Sequence, residues 1–190
     1  FVEALMVGEA FSKQVDADHR SATLQLKEKP AATTAAKQKA TSLSVPVGGQ
    51  MPEPGALTDL AGQAHRLANG KHYSLLSFFF SECVPCIQEI PDLNALDIRS
   101  AQLKVLSITF DDRKQARMFV DKRGLKTAVI ADAQAYIDQL GIRGYPTLVL
   151  VSPEGRLVAV KSGYMIKIGD KGGHLAQLAN WLADAGVKLD

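Results

Sequence analysis

The feature that most constrains this chain is a pair of cysteines, Cys83 and Cys86, the only two in its 190 residues. The apolar run at residues 75–80 comes just before them and predicts a buried strand. Ser81 or Glu82 can begin a helix, which puts Cys83 in the first helical turn. The pattern therefore predicts a Cys-x-x-Cys motif presented where a strand turns into a helix.

The predicted position of the cysteines at a helix start favours redox chemistry. Unpaired amide N–H groups and the helix dipole stabilise an anion there, and the thiolate is the reactive form of cysteine. Cysteines at this spacing lie about one helical turn apart, which is close enough for a disulfide. Val84 and Pro85 restrict the segment between them, and proline suits a first helical turn. A catalytic dithiol is the leading interpretation.

Zinc binding and a purely structural disulfide are the alternative interpretations of the cysteine pair. Zinc needs four ligands, or three with water, and the sequence has no second cysteine pair. The histidines show no ligand spacing; they are His19, His65, His72 and His174. A disulfide across so short a loop would constrain the unfolded chain little. We therefore expect neither a metal nor an organic cofactor at this site.

A second motif, Gly144-Tyr145-Pro146-Thr147, opens a later apolar run. A proline at the start of a strand, after glycine and an aromatic residue, is a candidate for a cis peptide bond. Together with the strand–Cys-x-x-Cys–helix unit, this motif resembles the thioredoxin superfamily, in which a cis-proline loop faces the dithiol. Pro91 matches the kinking proline of that family's active-site helix.

The chain is more closely similar to the TlpA/ResA-like branch of exported thioredoxins, over residues 45–189. Its stretch Cys83-x-x-Cys86-x-x-Glu89-x-Pro91 matches the extended active-site pattern of that branch. The resemblance implies an α/β fold, a thioredoxin-like sandwich with a mixed central sheet. It also implies an N-terminal hairpin and a central insert.

The resemblance further implies a thiol–disulfide oxidoreductase that reduces disulfides in client proteins. Cys83 is expected to be the exposed nucleophile, and Cys86, one turn deeper, to resolve the mixed disulfide. Tyr145 and Pro146 are expected to hold the client's extended backbone beside Cys83. Expected clients include apocytochrome c or a copper-site protein, with a membrane or soluble partner exchanging electrons. The expected location is periplasmic or otherwise extracytoplasmic.

Two glutamates flank the predicted dithiol and are candidates for tuning it. Glu82 precedes Cys83, and Glu89 follows Cys86 by one helical turn. A nearby negative charge raises a thiol pKa, and Glu89 is also expected to accept the proton of Cys86. Solvated helix-start glutamates are the alternative interpretation. Ser77 stands where thioredoxin has a buried aspartate.

A copper-handling chaperone, with Cys83 and Cys86 as Cu(I) ligands, is the alternative function. The pair alone would under-coordinate the metal, so Met51 or Met165 would have to approach it. A peroxidase is less well supported, because Phe80 occupies the hydroxyl position of the peroxiredoxin pattern before Cys83.

Two regions are predicted along the chain: an extension and linker at residues 1–44 and a thioredoxin-like domain at 45–190. Residues 1–26 are compatible with a tail that remains after processing or with an element for homo-oligomerisation. The chain begins without methionine, which is compatible with removal of an upstream signal peptide or membrane anchor. A net charge of +2 without a concentrated basic face gives no indication of nucleic-acid binding.

Hydrophobic patterns and turn signals predict the remaining elements. The expected strands and helices alternate, which favours an α/β fold. Hairpin strands are expected at 56–60 and 64–68; sheet strands at 73–80, 103–110, 128–131, 147–151 and 156–161; and helices following Ser81, Asp112, Asp132 and at 174–185. Asp111-Asp112 and Asp132 are expected to cap the second and third of these helices. The first helix is expected to carry a buried apolar stripe of Ile87, Ile90, Leu93, Leu96 and Ile98.

Overall fold

A computed structural model describes residues 43–53, 57–164 and 173–189. The predictions for residues 1–42, including oligomerisation through residues 1–26, lie outside this part of the chain. The described elements alternate between strand and helix, as expected. In chain order they are β1 (Leu57–Thr58), β2 (Ala64–His65), β3 (Tyr73–Phe79), α1 (Val84–Arg99), β4 (Leu103–Thr109), α2 (Arg113–Arg123), β5 (Ala128–Ile130), α3 (Gln134–Leu140), β6 (Thr147–Val151), β7 (Leu157–Ser162) and α4 (Gly173–Asp184).

The described sheet strands follow the order β5-β4-β3-β6-β7. Strands β3, β4 and β5 are parallel, whereas β6 runs antiparallel to β3 and β7 antiparallel to β6. The sheet is therefore mixed, as expected, with β3 at its centre. Phe78 pairs with Thr147, so the end of β3 that leads to the cysteines lies beside the start of β6.

Two hydrophobic layers cover the faces of the sheet. Successive side chains of a strand point to opposite faces, so Leu76 and Phe78 lie on one face and Leu75 and Phe79 on the other. The first face packs against α3 and the hairpin, and the second against α1, α2 and α4. A fully buried side chain such as Phe78 contributes about 1.5–3 kcal/mol by leaving water.

Helix α1 carries the cysteine motif into this second layer. Its buried face includes Ile90, Leu93 and Leu96, which confirms most of the predicted apolar stripe. Ile98 was expected to continue the stripe, but it is 84% exposed, because two residues beyond the buried Leu96 a side chain points to the opposite face of the helix. Pro91 lies inside the helix, as expected.

The connection from β4 to β6 holds α2, β5 and α3, which corresponds to the expected insert, and β5 extends the sheet in parallel beside β4. Asp112 caps α2 as predicted, accepting from the N–H of Gln115 at 2.8 Å. The predicted cap of α3 by Asp132 is wrong. Asp132 has a φ of 56°, and Ala133 stands at the N-cap without a side-chain bond.

Candidate active site

The junction of β3 and α1 holds a disulfide between Cys83 and Cys86. Cys83 is the N-cap residue of α1, and its Sγ accepts a hydrogen bond from the backbone N–H of Cys86 at 3.2 Å. A thiolate at the same place would gain from this donor and from the helix dipole. The predicted presentation of the motif at a helix start is confirmed, but the helix begins at Val84, so Cys83 itself is the cap and does not lie in the first turn.

Burial of the cysteine pair is greater than the sequence indicated. Cys83 is 4% exposed and Cys86 3% exposed, so the expectation of an exposed Cys83 is wrong for the disulfide form. The partly buried side chains of Phe80 and Tyr145 pack in the same cluster as the sulfurs. Val84, between the cysteines, is 64% exposed and marks where the site reaches the surface.

An aromatic trio, Phe80, Phe110 and Tyr145, borders the disulfide. The ring centroids of Phe80 lie 5.7 Å from Phe110 and 5.3 Å from Tyr145, and those of Phe110 and Tyr145 lie 5.9 Å apart. Of these three aromatic residues, only Tyr145 was predicted from the sequence to belong to the site. A signal for the other two was present: each directly follows one of two adjacent parallel strands, whose carboxyl ends meet at one edge of the sheet.

The second predicted motif lies at the same edge. The Tyr145–Pro146 peptide bond is cis, as predicted. The carbonyl of Pro146 accepts from the N–H of Gly163 at 2.8 Å, and Thr147 Oγ1 donates to the carbonyl of Gly144 at 2.8 Å. The loop is therefore fixed on both sides next to the strand that leads into Cys83.

Asp111, just after β4, and Gln115, on α2, anchor the short loop between β3 and α1. Asp111 was expected to cap a helix together with Asp112, but its Oδ2 instead accepts from the N–H of Ser81 at 2.8 Å. Gln115 donates from Nε2 to Ser81 Oγ, also at 2.8 Å. Asp111 is only 6% exposed, so it ties the segment before Cys83 to the end of β4.

Glu89 is a buried carboxyl one turn beyond Cys86, with 1% of its side chain exposed. Its Oε2 makes no hydrogen bond within the described residues. Burial and the nearby charge of Asp92 raise its pKa to about 8, although Lys161 opposes the shift. The interpretation of Glu89 as a solvated residue is therefore wrong. Cys83 lies nearly two helical turns back, so Glu89 is closer along the helix to Cys86.

Of two further residues near the cysteine pair, Glu82 lies at the surface and Ser77 is buried. Glu82 is exposed, as expected, so water screens its charge. Ser77 lines a cavity of about 10 Å³ together with Cys86, near the lower limit for one water molecule. A serine there cannot exchange a proton near neutral pH as a carboxyl can.

The described residues offer little support for a metal centre. Within residues 43–53, 57–164 and 173–189, no group of three or more His, Cys, Asp or Glu side chains could hold a metal ion. Met51, a candidate copper ligand, packs in the core on the face of the sheet opposite the disulfide. Met165, the other candidate, lies outside the described residues.

Comparison with known proteins agrees with this geometry: a strand–disulfide–helix unit beside a cis-proline defines a thioredoxin-like redox protein. The AhpC/TSA family matches residues 38–160, and the chain belongs to this family. A thiol:disulfide interchange protein assigned as DsbE of Chlorobium tepidum superimposes with a TM-score of 0.63 at 21% identity. The match covers 75% of this chain and 99% of that one, which confirms the fold.

Two bacterial relatives resemble the chain in sequence. The thiol-disulfide oxidoreductase ResA of Geobacillus thermodenitrificans is 29% identical over 129 residues, which are 65% of this chain and 74% of the relative. The thioredoxin-like protein YneN of Bacillus subtilis is 28% identical over 125 residues, covering 63% and 74% respectively.

Proposed function

We propose that this thiol–disulfide oxidoreductase reduces disulfides in client proteins outside the cytoplasm, with Cys83 as the nucleophile and Cys86 as the resolving thiol. The position of Cys83 at the N-cap of α1 carries the proposal. There its sulfur accepts a hydrogen bond from the backbone N–H of Cys86 and lies at the positive end of the helix dipole. Both interactions favour a thiolate. Cys86 lacks this position, because it lies within the first turn of the helix.

The proposed reaction balances in two exchanges. The Cys83 thiolate attacks one sulfur of the client disulfide, that bond breaks, and the first client sulfur leaves as a thiolate. Cys86 then loses its proton and attacks Cys83 Sγ, so the second client sulfur leaves and the Cys83–Cys86 disulfide forms. Two electrons pass to the client, and a membrane or soluble redox partner returns two electrons to the protein.

Glu89 is the proposed proton acceptor in the second exchange. Its pKa of about 8 is close to the ordinary thiol value of about 8.5. Proton transfer between groups of similar pKa is nearly isoenergetic in both directions. Glu89 would therefore take the proton of Cys86 when the disulfide forms and return it when the redox partner reduces the disulfide.

The aromatic trio and the cis-proline loop are the proposed docking surface for the client. We expect an extended client segment to pair with the backbone at Tyr145 beside Cys83. Phe110 is 36% exposed and Val84 64% exposed, so apolar client side chains can gain contact on either side of the sulfur. Clients with an apolar residue next to the reactive cysteine should react fastest.

The extracytoplasmic setting rests on the resemblance to exported thioredoxins. In the part of the chain that the structure describes, every helix is too short or too polar to cross a bilayer. The copper-chaperone alternative gains no support from the described residues, because Met51 lies away from the sulfurs.

The test of this function is a disulfide-reduction assay with the full chain. With a chemical reductant as electron source, the parent should reduce insulin, and Cys83→Ser should not. The reduction potential of the pair should lie nearer to about −270 mV, as in thioredoxin, than to about −120 mV, as in a strong oxidant. A strongly oxidising potential would reverse the proposed direction of electron flow. Tight binding of Cu(I) by the reduced protein without insulin reduction would favour the chaperone.

A further inference from the structure

A line of three side chains extends from Glu89 towards solvent beneath the active-site helix. His174, in the first turn of α4, lies between two acidic residues of α1. Its Nδ1 is 2.9 Å from Asp92 Oδ2, and its Nε2 is 4.0 Å from Glu89 Oε1. Exposure of the side chains rises along this line, from 1% for Glu89 and His174 to 17% for Asp92.

The hydrogen bond to Asp92 determines which nitrogen of His174 carries the proton. A carboxylate accepts, so Nδ1–H donates to Asp92 and Nε2 is left with a lone pair directed at Glu89. Both Nε2 and Glu89 Oε2 lack a hydrogen-bond partner within the described residues. A movement of about 1 Å would bring Nε2 and Oε1 to hydrogen-bond distance. The imidazole can then receive a proton from Glu89.

Two further groups face this line from neighbouring elements. The ring of Tyr164 lies against the imidazole with a centroid separation of 4.1 Å and limits the access of water. Lys161, on β7, lowers the pKa of Glu89, whereas Asp92 raises it. The two acidic residues lie on opposite sides of the His174 ring, so the arrangement suits transfer along a line rather than coordination of one ion.

We propose that His174 and Asp92 form a relay that moves the proton of Glu89 between the buried active site and solvent. The relay rests on the proposed role of Glu89 as the proton acceptor for Cys86. His174 acts through Glu89 and is a positioning residue, because it does not contact the sulfurs. Without such a path, a proton left on a carboxyl that is 1% exposed has no direct exit to water.

The proposed transfer leaves electrons and charge balanced. When Cys86 attacks, its proton passes to the Glu89 carboxylate, which becomes a neutral carboxyl. That carboxyl gives the proton to His174 Nε2, and the resulting imidazolium is stabilised by the Asp92 carboxylate. The proton on Nδ1 then leaves through Asp92 to water, which leaves a neutral imidazole with its proton on Nε2. During reduction of the disulfide the steps run in reverse: Nδ1 takes a proton from water through Asp92, Nε2 returns its proton to Glu89, and Glu89 gives it to Cys86.

The test separates the two exchanges in one experiment. Reduced full-length protein is mixed with 5,5′-dithiobis(2-nitrobenzoate), which releases one coloured thiolate when Cys83 attacks and a second when Cys86 resolves the mixed disulfide. His174→Asn should leave the first phase unchanged and slow the second by about tenfold, less than the full effect of a direct general base. It should also change the pH dependence of the second phase. Asp92→Asn should slow the same phase.

A matched control and a second measurement guard against a merely structural effect. His65→Asn breaks a comparable histidine–aspartate contact of 2.8 Å in the hairpin and should leave both phases unchanged. Nitrogen NMR of the reduced parent should show His174 protonated on Nδ1 and not on Nε2, so that Nε2 is ready to accept the proton of Glu89. This measurement does not depend on the folding of any variant.

The outcomes distinguish the relay from the function on which it rests. If Glu89→Gln slows the second phase and His174→Asn does not, the relay is wrong and the role of Glu89 stands. If neither variant slows it, both are wrong. A proton found on Nε2 of His174 in the reduced protein, or equal slowing of both phases by His174→Asn, would also overturn the relay.

Discussion

Within the residues that the structure describes, two buried carboxyls each face a histidine, and their pKa values are shifted in opposite directions. In the hairpin, Asp59 is 4% exposed and lies 2.8 Å from His65 Nε2. Beneath α1, Glu89 is 1% exposed and lies 4.0 Å from His174 Nε2. Burial pushes the pKa of each carboxyl upward, yet the pKa of Asp59 is lowered, whereas that of Glu89 is raised to about 8.

Hydrogen bonding accounts for the difference. Asp59 Oδ1 accepts from the backbone N–H groups of Ala61 and Gln63, both at 2.9 Å, and His65 binds the other oxygen. These donors together outweigh burial and hold the carboxylate charged. Glu89 Oε2 has no such donor in the described part of the chain, and Asp92 adds a like charge. The fully hydrogen-bonded Asp59 stabilises a turn, whereas Glu89 keeps an oxygen without a donor, which the proposed proton transfer requires.

The largest expected effect concerns Glu89 and the resolving step. Glu89→Gln keeps the shape of the side chain but removes the proton acceptor, so release of the second client thiolate should slow by about a hundredfold above pH 8, where Glu89 is ionised. Rapid-mixing measurements of the two phases check this. The matched variant Asp97→Asn changes another carboxyl of α1, one that pairs with Lys104, and should keep the parent rates. Equal rates in the parent and Glu89→Gln would remove Glu89 from the mechanism.

The next effect concerns stability and pH. The folded protein holds the proton of Glu89 up to about pH 8, whereas the unfolded chain releases it near the ordinary value of 4.5. The favourable contribution is complete below pH 4.5 and is lost as pH rises towards 8, by about 1.4 kcal/mol per pH unit. Urea unfolding of the oxidised protein should show a loss of about 3 kcal/mol by pH 7, relative to Glu89→Gln. Parallel pH curves would contradict the raised pKa.

Asp59 should show the opposite pattern. Asp59→Ala removes the three hydrogen bonds that the Asp59 carboxylate makes in the hairpin, and it should lower the free energy of unfolding by about 1–3 kcal/mol. Because the folded pKa is lowered, this contribution is present above the ordinary value of 3.8 and is lost at more acidic pH. Denaturant unfolding at pH 3 and 7 checks the sign. Disulfide exchange should keep the parent rate in this variant. Slower exchange would show that Asp59 also affects the active site, which would contradict its purely structural role.

The smallest effect is expected at Glu82. Its side chain is exposed and screened by water, so Glu82→Gln should change the thiolate titration of Cys83 only slightly. Ultraviolet absorbance of the thiolate against pH measures this directly. A shift larger than the one caused by Glu89→Gln would show that the exposed charge controls the dithiol.

The sequence predicted those parts of the site that depend on local pattern. An apolar run followed by Cys83 and Cys86 was sufficient for the strand–helix junction, and Gly144 to Thr147 for the cis-proline loop. The burial of Cys83 could not be predicted, because it depends on the rings of Phe80 and Tyr145, which come from two separate connections of the sheet.

Contacts between distant segments were also beyond sequence reasoning. His174 and Asp92 are 82 positions apart, and Ser81 and Asp111 are 30 apart, so neither bond leaves a periodic signal. The pKa of Glu89 has the same origin: the sequence shows a glutamate in a helix, and only the packing of α4 and β7 shows which groups surround it.

The most direct test of the central claim is the capture of mixed disulfides by two single-cysteine variants of the full chain. Cys86→Ser retains the proposed nucleophile and lacks the resolving thiol, so it should accumulate client adducts on Cys83. Cys83→Ser should accumulate few. Non-reducing electrophoresis and peptide mass spectrometry count the adducts and locate the linked cysteine. Equal capture by the two variants, or greater capture through Cys86, would contradict the assignment of Cys83 as the nucleophile.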